Sequence, residues 1–174
     1  LHLMHNKPFL YEPRGFTCIE EHDETIVKNW NEIVKYNDEA FILGDLMLMD
    51  NDVAMKYLKR LNGKIHVILG NHDSAVRAKL YADNGFDVIG YAYPYRLRGY
   101  NLFMTHYPTI TSNYDINKPL KSRVINLCGH SHTKNRFQDM DKGLIYHCEL
   151  DAHENKPVNI EEIIPDIRKN YPNI

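Results

Sequence analysis

Residues 65–73, which read IHVILGNHD, decide the fold of this chain. The first five are mostly apolar and β-branched, which is typical of a buried strand. The strand leads directly into Gly70–Asp73, a turn that carries an amide oxygen and an imidazole. Ser74 follows and can cap a helix that we expect to end near Asn84-Gly85. A strand, a polar turn and a helix in this order predict an α/β domain.

The same arrangement, an apolar run followed by a polar turn, occurs three more times. The three turns are Gly44-Asp45, His106, and Gly129-His130-Ser131-His132. Because ligands of open α/β sheets gather beyond the carboxyl ends of the strands, we expect these side chains to converge with Asn71. A carboxylate, an amide oxygen and several imidazoles suit a pair of first-row transition metals that share the carboxylate. Asp45 is the natural bridging ligand, since a carboxylate has two oxygens.

Periodicity predicts the remaining elements. The predicted helices are Asp23–Asn37 with Asp23 as its N-cap, Asp52–Leu61, and Asn159–Lys169 with Asn159 as its N-cap. The predicted strands, besides Ile65–Leu69, are Ala40–Leu43, Phe86–Ile89, Tyr91–Leu97, Asn101–Thr105, Val124–Cys128 and Leu144–Cys148. Alternating strands and helices followed by strands favour a layered α/β fold with a two-sheet core. The segment Pro108–Lys121 lacks periodicity and follows His106, so we expect a substrate-facing loop there.

Length, charge and composition argue against several other classes of protein. The length of 174 residues predicts one domain, residues 1–174, and the net charge of −2 argues against extended binding to nucleic acid. The longest apolar runs fall far short of the roughly 20 residues that span a bilayer, so no membrane partner is expected. Cys18, Cys128 and Cys148 are an odd number at wide spacing, which argues against a disulfide framework and favours a cytoplasmic location.

The ordered motifs resemble the signature of the calcineurin-like metallophosphoesterase superfamily. That signature runs Asp-x-His, Gly-Asp, Gly-Asn-His-(Asp/Glu), His, Gly-His-x-His, and the chain is similar to it from His2 to about Asp151. The resemblance is to small single-domain bacterial or phage members. It implies a layered α-β-β-α sandwich of two mixed sheets flanked by helices. The first aspartate of the signature would fall immediately before Leu1, so we expect the first strand to be missing from this chain.

The resemblance also implies a set of ligands for two divalent transition-metal ions. The first ion would take His2, Asp45 and His132, and the second would take Asp45, Asn71, His106 and His130. Nitrogen and oxygen ligands fit several metals, and we favour Mn over Fe, Zn, Ni or Co. Without the aspartate before Leu1, the first ion lacks a carboxylate of its own, and His5 could replace it.

The implied activity is hydrolysis of a phosphodiester or phosphomonoester by a hydroxide that bridges the ions. His72 would act as the general acid and Asp73 would orient it. Arg14 could clamp a phosphate, or pair with a surface carboxylate, and His5 would lie close to the substrate. The expected partner is a small phosphorylated substrate, for which a nucleotide-like group is one option. Oligomeric state is left open by the sequence.

Two alternatives to this enzyme are compatible with the same residues. A catalytically weak or inactive member could serve as a protein-binding scaffold, which the missing aspartate favours and the presence of His72 disfavours. A purely structural metal site would require metal for folding. The Gly44-Asp45-Leu46 segment lacks the Asp-Arg-Gly sequence of the protein Ser/Thr phosphatases, so that activity is disfavoured.

Overall fold

The computed structural model describes residues 1–111 and 117–174. Its α-helices are α1 (Pro8–Tyr11), α2 (Ile19–Ile33), α3 (Asn51–Leu58), α4 (Ala75–Asp83) and α5 (Ile160–Asn170). Three of the N-caps are polar side chains that accept hydrogen bonds from the first turn, as at Asp50, Ser74 and Asn159. Part of the predicted loop Pro108–Lys121, residues 112–116, lies outside the described residues.

In the described residues, eight strands form two sheets. They are β1 (Glu39–Leu43), β2 (Lys64–Ile68), β3 (Asp87–Gly90), β4 (Ala92–Leu97), β5 (Tyr100–Thr105), β6 (Val124–Cys128), β7 (Phe137–Gln138) and β8 (Ile145–His147). The smaller sheet has the order β1-β2-β3, with parallel pairs. The larger sheet has the order β4-β5-β6-β8-β7 and mixes antiparallel and parallel pairs. Two sheets flanked by helices confirm the predicted fold class.

Helix α2 begins four residues before the predicted start, and this changes the role of Asp23. The side chain of Asp23 is fully buried inside the helix, where it cannot act as the N-cap. Its Oδ2 accepts a hydrogen bond of 2.9 Å from the backbone N–H of Met4. The prediction that Asp23 caps the helix was wrong, because the helix begins at Ile19 and Cys18 occupies the N-cap position. Asp23 therefore holds the segment that carries His2.

Two apolar clusters fix the sheets against the helices. The first packs Trp30 of α2 and Leu58 of α3 against β1 and β2, where Val67 is fully buried. The second packs Ile163 and Ile167 of α5 against the larger sheet. Neither cluster includes a predicted metal ligand, so the core and the site are built from different side chains. Within the described part of the chain, every helix is too short or too polar to cross a bilayer.

Candidate metal centre

Five of the six predicted ligands lie in the turns that follow β1, β2, β5 and β6, at the carboxyl ends of these strands. His2 lies in the amino-terminal segment, and its backbone N–H donates a hydrogen bond of 2.8 Å to the carbonyl oxygen of Asp45. Four of the predicted ligands adopt a left-handed backbone, with φ of 64° at His2, 52° at Asp45, 73° at His130 and 49° at His132. Such angles are uncommon for residues other than glycine and cost free energy. Strained backbone of this kind clusters at functional sites, so its presence at four of the six predicted ligands supports a binding role for them.

One group of donor atoms, which we call the second ligand group, comprises Asp45, Asn71, His106 and His130. The Nε2 atom of His106 lies 2.8 Å from Asn71 Oδ1, 3.1 Å from His130 Nδ1 and 3.4 Å from Asp45 Oδ2. Asp45 and His106 are buried, while His130 is exposed. The residues Asp45, His106 and His130 offer ligand atoms that lie within 4.8 Å of one another.

The orientation of His106 shows that this group suits a cation. Its Nδ1 lies 2.8 Å from the carbonyl oxygen of Leu43, which fixes the tautomer with the proton on Nδ1. The Nε2 lone pair then faces the oxygens of Asp45 and Asn71. Several lone pairs converging on one point repel each other unless a cation lies between them, and imidazole and oxygen donors suit a divalent transition metal.

Two glycines allow this close approach. A Cβ at Gly44 would collide with the His106 ring and would lie 2.7 Å from the Cα of Gly70. A Cβ at Gly70 would collide with the Asp45 carboxylate and would lie 2.9 Å from His106 Cε1. The two glycines thus bring the turns after β1 and β2 into contact beneath the ligands.

The first ligand group comprises His2, Asp45 and His132. The Nε2 atoms of His2 and His132 are 3.1 Å apart, and His2 Nε2 is 3.5 Å from Asp45 Oδ2. On the other side of the ring, His2 Nδ1 lies 3.3 Å from His5 Nδ1. Burial, followed by the neighbouring amino terminus and His132, lowers the pKa of His2 far below its usual range. His2 is therefore a neutral imidazole, which is the form that binds metals.

His72 and His5 border the ligands without joining either group. The ring of His72 lies 5.8 Å from that of His2 and 6.0 Å from that of His5. The backbone N–H of His72 donates a hydrogen bond of 2.9 Å to Asp45 Oδ1, so Asp45 keeps its Oδ2 for the ligand groups. Burial, together with His72 and His132, lowers the pKa of His5. The half-buried His72 ring can thus face a molecule that approaches the metal centre.

Asp73 contacts backbone groups and a tyrosine, and no contact with the imidazole of His72 occurs in the described structure. Its Oδ2 accepts hydrogen bonds from the N–H groups of Asp45 at 2.7 Å and Gly70 at 2.8 Å. Its Oδ1 accepts from the hydroxyl of Tyr81 at 2.8 Å and, more weakly, from Leu46 N at 3.3 Å. The structure therefore differs from the expectation that Asp73 orients His72. The Asp73 carboxylate instead links the turns after β1 and β2.

Asp73→Asn is expected to lower the free energy of unfolding by about 3 kcal/mol, because the amide nitrogen leaves buried N–H or O–H donors without an acceptor. Urea denaturation of the metal-free protein measures this change. Asp50→Asn is the matched control: Asp50 caps α3 through its side chain, and asparagine caps equally well, so we expect a change within about 0.5 kcal/mol. Equal effects of the two substitutions would contradict the role of Asp73.

Arg14, predicted as a phosphate clamp, has a buried guanidinium that binds Asp151. Its Nε and Nη2 donate to Asp151 Oδ1 and Oδ2 at 3.0 and 2.7 Å, and its Nη1 donates to the carbonyl oxygen of Leu1 at 3.0 Å. The same carboxylate lies 3.4 Å from His132 Nδ1. Burial opposes ionisation of Asp151, but hydrogen bonds from His132 and Arg14 outweigh it and lower the pKa of this carboxyl. The phosphate clamp stays a prediction.

Asp151 was not among the residues singled out from the sequence. A signal was available, since Asp151 follows the predicted strand Leu144–Cys148, just as the ligands follow their strands. His22, which belongs to none of the motifs, is fully buried. Its Nδ1 lies 2.7 Å from Asp23 Oδ1, and its Nε2 lies 2.9 Å from Arg14 Nη1. A buried polar network thus lies behind the first ligand group, and its four side chains are Arg14, His22, Asp23 and Asp151.

A cavity of about 430 Å³ opens beside the ligands and follows the edge of β1. It is lined by Leu1, Asp45 and His132 at one end, and by Ile33 of α2 and Ile160 of α5 farther along. β1 is an edge strand of its sheet, and it pairs with β2 on its other side.

The fold and the converging ligands define an α/β protein with a metal-binding centre at the carboxyl ends of its strands. The family model of the calcineurin-like phosphoesterase superfamily domain matches residues 21–153. The chain therefore belongs to the calcineurin-like phosphoesterase superfamily, whose members bind divalent metal ions, and the resemblance seen in the sequence is confirmed.

Relatives of this chain extend the comparison. The chain is 30% identical to an uncharacterized protein of Methanocaldococcus jannaschii over 171 residues, which cover 97% of this chain and 88% of that protein. It is 35% identical to the gene 66 protein of Mycobacterium phage L5 over 77 residues, which cover 42% of this chain and 36% of that protein. The phage relative supports the assignment to the small phage or bacterial type.

A solved structure shows the same fold. The crystal structure of a protein of unknown function from Aquifex aeolicus aligns with a TM-score of 0.70 at 22% identity, and the alignment covers 95% of each chain. At this level of identity the likeness concerns the fold alone.

Proposed function

We propose that the protein is a dinuclear metal-dependent phosphoesterase that hydrolyses a phosphodiester or a phosphomonoester, with residues 1–174 acting as a single domain. The position of Asp45 carries the proposal. Its Oδ2 lies 3.5 Å from His2 Nε2 and 3.4 Å from His106 Nε2, between the two ligand groups. A carboxylate shared by two sets of imidazoles is the arrangement that two neighbouring divalent ions need.

Each side chain of the centre has a distinct task in this proposal. His2, Asp45 and His132 hold one ion, and Asp45, Asn71, His106 and His130 hold the other. When bound, such ions supply an activated water as the nucleophile and neutralise the phosphoryl oxygens. Mn is our first choice for both ions, with Fe, Zn, Ni or Co as alternatives.

The protonation of the leaving group is assigned to His72. Its ring borders the first ligand group at 5.8 Å from the ring of His2, which leaves it outside the coordination positions and within reach of a bound phosphoester. An imidazole can donate a proton at neutral pH to the oxygen that leaves phosphorus. His5, whose ring is 6.0 Å from that of His72, lies at the same border and is placed to contact the leaving group.

The test is hydrolysis of bis-p-nitrophenyl phosphate and p-nitrophenyl phosphate, followed by a broad panel of nucleotides and other phosphoesters, with and without added Mn. We expect turnover that requires metal and is removed by EDTA. The ratio of the rates on the two nitrophenyl substrates gives the preference between diesters and monoesters. An absence of metal-dependent turnover on the whole panel, with metal bound, would reject the enzyme and favour a scaffold.

Metal binding is expected to stabilise a protein that already folds without metal. Both apolar clusters are built without the ligands, so the metal-free chain keeps its core. Mn at a hundred times its Kd should add about 2.7 kcal/mol, which raises Tm by about 5–10 °C for a chain of this size. Thermal melting followed by circular dichroism, with Mn or EDTA, measures the shift. An unfolded metal-free protein would instead indicate a structural metal site.

A further inference from the structure

A buried ion pair lies directly behind the first ligand group and joins distant parts of the chain. Arg14 and Asp151 are 137 residues apart in sequence, yet they form a bidentate pair at 3.0 and 2.7 Å. Their side chains are only 2% and 7% exposed. A buried charge pair is costly to desolvate and is rarely explained by stability alone. The proposed reaction assigns no task to Asp151.

The carboxylate of this pair faces the outer nitrogen of a metal ligand. Asp151 Oδ2 lies 3.4 Å from His132 Nδ1, and Arg14 Nη2, which donates to Asp151 Oδ2 at 2.7 Å, lies 3.5 Å from the same nitrogen. Nε2 on the other side of the ring lies 3.1 Å from His2 Nε2. The His132 side chain is 38% exposed and its backbone φ is 49°, so packing alone does not fix the ring. A carboxylate on Nδ1 selects the tautomer that leaves Nε2 free to bind a metal.

The guanidinium of Arg14 also helps to hold His2, the other histidine of the first ligand group. Its Nη1 donates to the carbonyl oxygen of Leu1, which precedes His2, and contacts His22 Nε2 at 2.9 Å. His22 in turn pairs with Asp23, whose Oδ2 accepts from the N–H of Met4. The backbone on both sides of His2 is therefore held by one polar network. Among the described residues, the second ligand group is linked to this network through Asp45, which both groups share.

We propose that Asp151 and Arg14 are positioning residues that select the tautomer of His132 and hold His2, and so set the metal affinity of the first site. The inference rests on the proposed function, because it assumes that each ligand group binds an ion. Carboxylates that contact the outer nitrogen of a metal-bound histidine typically change metal affinity by about 10–100-fold. We expect Asp151→Asn to weaken the first site by this factor and to leave the second within about twofold.

The experiment measures Mn binding to the full protein by equilibrium dialysis and by electron paramagnetic resonance, which distinguishes a spin-coupled ion pair from an isolated ion. Asp166→Asn is the matched control, because Asp166 also pairs with an arginine, Arg136 at 2.8 Å, and accepts from Tyr146. In the described structure Asp166 contacts none of the predicted ligands. We expect Asp151→Asn to convert the coupled signal into that of a single ion, and Asp166→Asn to leave it unchanged.

Arg14→Lys is the second variant, since it keeps the charge and removes the bidentate geometry. It should weaken the first site less than Asp151→Asn does, with the second site again preserved. Equal weakening of both sites, or no weakening of either, in variants that keep the native circular dichroism would overturn the inference. Failure of the unaltered protein to bind two ions would instead reject the proposed dinuclear function, so the two failures are distinguishable.

Discussion

Asp45→Asn is expected to reduce kcat/KM by about 1,000-fold or more, which corresponds to a loss of about 4 kcal/mol of transition-state stabilisation. Both oxygens of the Asp45 carboxylate are used. Oδ2 lies between the two ligand groups, and Oδ1 accepts the N–H of His72 at 2.9 Å. An amide nitrogen in either position opposes a cation or an N–H donor, and the charge that both ions share is lost. Steady-state kinetics at saturating Mn, together with metal stoichiometry, measure the effect.

Asp87→Asn is the control for this substitution. Asp87 pairs with a histidine, His66 at 2.7 Å, but its side chain is 58% exposed and lies away from the ligands. We expect the control to keep its kcat/KM within about twofold, because exposed ion pairs contribute little free energy. If Asp45→Asn keeps more than a tenth of the activity with two ions bound, the shared carboxylate is not essential and the dinuclear proposal fails.

The strands and the ligand-bearing turns could be predicted because their signals are local. An apolar run sets a strand, and Gly70-Asn71 or Gly44-Asp45 sets the turn after it, within a few residues of sequence. Since strand ends meet at one edge of a sheet, side chains far apart in sequence could be expected to converge. The structure places Asp45, Asn71, His106 and His130 together for this reason.

The roles of Asp23, Asp73 and Asp151 could not be predicted, because each depends on a partner outside its own segment. Asp23 accepts from Met4, Asp73 accepts from Asp45, and Asp151 pairs with Arg14 across most of the chain. A local interpretation gives an aspartate near a helix start the role of a cap, and one beside a histidine the role of an orienting partner. These three carboxylates are buried, and a buried carboxylate needs several hydrogen-bond donors. For each of them, at least one donor comes from a segment that is distant in sequence.

The general-acid role of His72 predicts a loss of rate that depends on the leaving group. His72→Ala should lower kcat by about 100- to 10,000-fold for alkyl phosphoesters, whose alkoxide must be protonated as it leaves. The loss should be much smaller for p-nitrophenyl phosphate, because nitrophenolate leaves without a proton. A plot of log kcat against leaving-group basicity should therefore be steeper for the variant, while Mn stoichiometry stays unchanged because His72 contributes no ligand.

His5→Ala is the matched control for this assignment, since His5 lies at the same border of the site, with its ring 6.0 Å from that of His72. His5 also contacts His2 Nδ1 at 3.3 Å, so its loss should weaken metal binding or substrate binding without steepening the plot. A uniform loss across all leaving groups in His72→Ala would remove the general-acid role. A steeper plot for His5→Ala alone would transfer that role to His5, whose ring lies at the same border of the site.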